Sequence, residues 1–149
     1  MRPRSLGRRL ALQYLFMADL NGFSGVETPE VFFRFQHLAE REGVDGFKPD
    51  NGDPRRDEAE NFALSLIQGA LENLGAIDGD IGRAADNWQV ARIGTIERNV
   101  LRLAAAELRL GGSPRRVVLD EAVELAKRFG DKDSGAFVNG VADSLPGGS

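Results

Sequence analysis

The chain has 149 residues, 42% of them hydrophobic and 28% charged, with 19 Lys+Arg against 23 Asp+Glu. Such a chain is long enough to bury one sizeable core and too apolar to stay disordered, and a net charge of −4 gives no overall attraction to nucleic acid or anionic membrane. With no cysteine, disulfides, thiolate metal sites and a cysteine nucleophile are excluded, and a cytoplasmic setting is expected.

Charge is uneven along the chain. Arg2, Arg4, Arg8 and Arg9 occur with no acid among the first nine residues, so the head carries +4 and the remainder −8. This head reads as a flexible basic arm over residues 1–9. Such an arm is suited to reaching phosphates, although solubilising terminal charges account for it equally well. The segment from Ser5 to about Leu20 then has helical periodicity and is apolar nearly all round, which demands burial on several sides.

Thr28-Pro29 is a helix start that leads into Val31, Phe32, Phe35 and Leu38 and ends at Gly43. Val44 to Pro54, rich in Gly and Pro, reads as a loop. A third helix is predicted from about Asp57 to Leu74, stopped by Gly75. A short one follows around Asp80 to Asp86, with Ile77, Ile81, Ala85 and Trp88 as anchors. Thr95 to Leu110 puts Arg98, Arg102 and Arg109 in one outward stripe, which either pairs internally or meets RNA. Val117 to Phe129 has a single polar arc of Asp120, Glu121, Glu124, Lys127 and Arg128. Asp133 or Ser134 caps a last helix carrying Phe137, Val138, Val141 and Leu145, and residues 146–149 read as a disordered tail. No segment alternates with period two, so the fold class is all-α, with six or seven helices in a single domain over residues 1–149.

Catalytic constellations are missing. The one histidine, His37, lies in an amphipathic helix and reads as structural. Asp131-Lys132-Asp133 starts like a calcium loop but lacks its later ligands, and no glycine-rich phosphate cradle is present. The chain is therefore read as no enzyme, with no metal and no cofactor.

The blocks Trp88 to Leu108 (WQVARIGTIERNVLRLAAAEL) and Val117 to Asp143 (VVLDEAVELAKRFGDKDSGAFVNGVAD), with the arginine-rich RRLALQYLF start, closely resemble the NusB family of bacterial transcription antitermination factors. The resemblance implies an all-helical protein of two small bundles that is not an enzyme. It implies binding of single-stranded boxA RNA in ribosomal RNA leader transcripts, together with the small-subunit ribosomal protein NusE, in a complex that helps RNA polymerase resist termination. Carried over, the RNA-facing residues are Arg2, Arg4, Arg8, Arg9, Phe137 and Asp133. Phe137 has core packing, and Asp133 helix capping, as the other role open to it.

Two departures stand out. Ala136 occupies a position where the family often has a basic residue, and residues 21–56 match no family motif. An alternative function is a NusB-fold interaction module, or a homodimer, with weak or no RNA binding. A third, the targeting domain of a ribosomal RNA methyltransferase, is disfavoured because the sequence carries no cofactor loop.

Overall fold

Pro3 opens the first helix. In the computed structural model, which describes the backbone of residues 2–41 and 54–148 and the side chains of residues 2–36 and 55–148, α1 runs Pro3–Leu20. Proline's fixed φ and missing N–H suit the first helical position, and the Arg2 carbonyl accepts from the Leu6 N–H at 3.0 Å. The helix therefore begins two residues before the predicted Ser5, and Arg4, Arg8 and Arg9 are helical rather than part of a flexible arm. Six further helices follow among the described residues: α2 Pro29–Arg41, α3 Pro54–Glu72, α4 Leu74–Ala84, α5 Thr95–Leu110, α6 Arg115–Phe129 and α7 Ser134–Ala142. A 3₁₀ turn, Val90–Arg92, precedes α5. No strand occurs among the described residues, as the missing period-two alternation predicts.

Where composition predicts one domain, the chain divides into two compact units, Met1–Ser65 and Leu66–Ser149. In the first, the all-round apolar α1 buries Leu10, Ala11, Leu12, Tyr14, Leu15 and Ala18. Gly7 is needed for this packing, because a Cβ there would stand 2.7 Å from the Ala59 carbonyl oxygen of α3. Thr28 caps α2 as predicted, its hydroxyl accepting from the Val31 N–H at 3.4 Å.

The inward face of α2 differs from the expected one. Phe33 is buried and Phe35 is 58% exposed. The reason lies in α1: Tyr14 takes the Phe32 ring edge-on at 5.4 Å, and Gln13 accepts from the Gln36 amide at 2.6 Å, four residues later on the same face. Tyr14 also donates to the Glu27 carbonyl at 2.6 Å. Burial, then the charges of Glu30 and Glu27, pushes its phenol above the ordinary value. The His37 side chain and the predicted loop up to Asp53 lie outside the described residues.

In the second unit the predicted stop at Gly75 gives way to a break at Asn73, whose side-chain amide donates to the Gly69 carbonyl at 2.9 Å. Gly75 instead lies in the first turn of α4. The helix persists over Leu74–Ala84 because Ile77 and Ile81, four apart, are both fully buried. The centre of this unit is α5, where Val100, Leu101, Leu103 and Ala104 through Ala106 are buried. Packed on it are Val118, Ala122, Leu125 and Ala126 of α6 and Val138, Val141 and Ala142 of α7.

The expected disordered tail is docked in its described part. Arg115, at the start of α6, donates to the Gly147 carbonyl at 2.7 Å and the Asp143 carbonyl at 3.0 Å, satisfying acceptors just beyond α7.

Candidate nucleic-acid interface

The arginine head is organised by one ring. Arg4 and Arg8 are four residues apart and so share a face of α1, and their guanidinium carbons lie 5.0 and 5.3 Å from the Phe62 ring centroid. Arg8 is only 4% exposed, whereas Arg2 and Arg4 are exposed and Arg9 is half-buried. Arg2 and Arg4 are thus the most accessible of the four, while Arg8 is packed over Phe62 where α1 meets α3.

Of the predicted outward stripe on α5, only Arg102 is buried, whereas Arg98 is half-buried and Arg109 exposed. Arg102 is 6% exposed and donates from Nε and Nη2 to the two Asp78 oxygens at 2.8 and 2.9 Å, and from Nη1 to Asn99 Oδ1 at 3.0 Å. Arg98 donates to the Ile93 carbonyl at 2.9 Å, and Arg109 donates to Asp80 at 2.9 Å. Internal pairing therefore takes up all three.

Asp80 also accepts from Arg83 at 2.5 Å. Burial alone pushes the Asp80 carboxyl up, but the hydrogen bonds and charges of Arg109 and Arg83 outweigh it and hold the group below the usual carboxylate range. A depressed folded-state value stabilises above the ordinary unfolded value and is lost as pH falls through the folded one. Acid unfolding of the wild-type chain is accordingly expected to steepen below about pH 4, and Asp80→Asn to flatten that limb in a circular-dichroism titration.

The last helix starts differently from either predicted cap. Asp133 is the residue before α7, yet its carboxylate makes no capping bond. Asp131 organises the turn: its Oδ1 accepts from the Asp133 N–H at 2.8 Å, and its own N–H donates to the Ser134 hydroxyl oxygen at 2.9 Å. Ser134 is buried and also donates to Glu97 at the start of α5. The exposed Asp133 carboxylate is left pointing away from cap duty, and Phe137, one turn on, is half-buried.

Beside Phe137 stands a residue that periodicity misassigns. Trp88, expected as an anchor with Ile77, Ile81 and Ala85, is 56% exposed, its ring centroid 6.5 Å from that of Phe137 and tilted 48°. The signal that could have found it is the Asp86-Asn87 pair just ahead, residue types tolerant of left-handed backbone, which break the helical phase before Trp88. Of the six predicted RNA-facing residues, then, the arginines belong to the first unit and Asp133 and Phe137 to the second. Among the described residues no group of three or more His, Asp or Glu side chains could hold a metal ion, and no helix is long and apolar enough to cross a membrane.

The NusB family profile matches residues 6–145. The chain belongs to the NusB family. A curated relative, the transcription antitermination protein NusB of Sorangium cellulosum (strain So ce56), is 42% identical over 146 residues, covering 97% of this chain and 92% of the relative. Among solved structures, NusB of T. maritima is 33% identical with a TM-score of 0.67, covering 96% of this chain and 90% of that one. A structure of antitermination factors NusB and NusE in complex with dsRNA is 30% identical with a TM-score of 0.71, covering 97% and 96%. The all-α NusB fold inferred from the sequence blocks is thus matched along nearly the whole chain.

Proposed function

We propose that this NusB-family chain is a cytoplasmic transcription antitermination factor, not an enzyme, that binds boxA-type RNA of ribosomal RNA leader transcripts together with NusE and helps RNA polymerase resist termination. The observation that carries this reading is the near full-length similarity to NusB proteins, one of them in a complex with NusE and dsRNA. Local chemistry supports it at two places. Arg2 and Arg4 are exposed cations for phosphate, and the partly open ring of Phe137 suits an unpaired base. Asp133, exposed beside that ring, disfavours a phosphate there and so helps select which part of a nucleotide approaches. Because an A-form duplex hides its base faces in the stack, single-stranded RNA is favoured over the same sequence as a duplex.

The acidic remainder of the chain offers attraction to a basic ribosomal partner and limits nonspecific coating by RNA. The test is anisotropy of labelled boxA-type RNA against the chain, with and without NusE, over a salt series. Each phosphate contact contributes about −0.7 to the log–log slope, so Arg2→Ala with Arg4→Ala is expected to flatten it by about 1.4. Absence of binding at low salt in both conditions would overturn the reading in favour of an interaction module.

A further inference from the structure

Trp88 is the chain's only tryptophan and is more than half exposed, although large aromatic rings normally bury most of their surface. Its placement is built. After α4 the backbone turns through two consecutive left-handed residues, Asp86 (φ 56°) and Asn87 (φ 67°). The Asn87 N–H donates to the Gly82 carbonyl at 2.7 Å and the Trp88 N–H to the Ala85 carbonyl at 3.1 Å. A Cβ on Gly82 would come within 3.2 Å of the Trp88 carbonyl oxygen, so the turn closes tightly on a glycine. Asp and Asn are the non-glycine residues that tolerate left-handed backbone best, so the Asp86-Asn87 pair is suited to the turn that carries Trp88.

This turn borders a shallow groove lined by Asp78, Gly82, Arg83, Asn87, Trp88 and Gln89. We propose that Trp88 provides a stacking surface, next to Phe137, for an unpaired base of single-stranded RNA, with the amides of Asn87 and Gln89 reading that base's edge. The inference rests on the RNA-binding reading above and adds a specificity-determining residue to it.

The lining decides between RNA and a protein segment. An amphipathic helix needs a row of apolar anchors, whereas here one large exposed ring is set among exposed amides that both donate and accept. The groove is not an acidic barrier, because Asp78 is paired with Arg102 and Asp80 with Arg83 and Arg109. With Arg83 engaged by Asp80, the exposed Arg92, next in sequence to the groove's Ala91, balances the one further exposed acid, Asp86.

The single tryptophan makes the test direct. Labelled single-stranded boxA-type RNA is titrated against the full chain, with and without NusE, while anisotropy reports binding and tryptophan emission reports Trp88. Stacking is expected to quench the emission in proportion to the bound fraction. Trp88→Ala is expected to weaken binding about tenfold while Trp88→Phe retains most of it, circular dichroism checking that both variants are folded. RNA that binds with unchanged Trp88 emission, and equally well to Trp88→Ala, overturns this inference and leaves the RNA-binding reading standing; no binding at all overturns both. Emission that responds to NusE alone, with no further change on adding RNA, assigns the groove to a protein partner and also overturns it.

Discussion

Arg102→Ala is expected to destabilise the second unit by about 3 kcal/mol, because removing one partner of a buried ion pair leaves the other desolvated without compensation. Three donated hydrogen bonds vanish together, two to Asp78 and one to Asn99. Asp78 keeps some solvent contact, with 29% of its side chain exposed, which places the cost at the lower end for such pairs. Lysine at this position gives a single point charge in place of the planar fork and recovers only part of the loss. Urea unfolding followed by the emission of Trp88, which lies in this unit, measures the effect; a midpoint shift no larger than that of a surface control would show the pair to be incidental.

Gly7→Ala is expected to be the second large effect, and here two contributions oppose each other. Alanine in a helix interior is favoured over glycine by about 1 kcal/mol. The added methyl, however, would stand 2.7 Å from the Ala59 carbonyl oxygen and 3.0 Å from the Phe62 ring. Backbone cannot swing aside as a side chain can, so the overpacking cost of up to about 3 kcal/mol prevails and the net loss is about 2. Because Phe62 holds Arg4 and Arg8, the shift also displaces the arginine head. Unfolding followed by Tyr14, the only tyrosine, together with the RNA affinity of the folded fraction, checks both consequences. A stabilised variant would mean that α1 and α3 separate without cost.

Helices with one clear polar arc were legible from periodicity alone: the span of α5 is recovered residue for residue, and α6 differs by one half-turn at its start. Starts and stops were less so. Pro3 and Pro54 both open helices where residues two or three later were expected to, since proline at the first position acts through backbone geometry and leaves the apolar pattern unchanged. Arg102 reads as outward because sequence gives a guanidinium no reason to be inside; only Asp78, contributed by α4, makes burial affordable. Phe35 and Trp88 were expected inside and lie largely exposed, because partners on other elements, Tyr14 and Gln13 in one case and the Asp86-Asn87 turn in the other, set the rotation of their segments. Of the candidate site, the arginine head and Phe137 could be named from the family blocks, whereas the Trp88 ring beside Phe137 required the fold.

The helical start at Pro3 changes what RNA binding demands of the chain. A flexible arm must give up backbone freedom on docking, at a cost of about 1–2 kcal/mol for each residue fixed. In this chain α1 orders Arg4, Arg8 and Arg9 before any ligand arrives, and Phe62 restricts the side chains of the first two. The ordering entropy is thus spent during folding, so that under the proposed function any phosphate contact these arginines make counts more fully toward affinity.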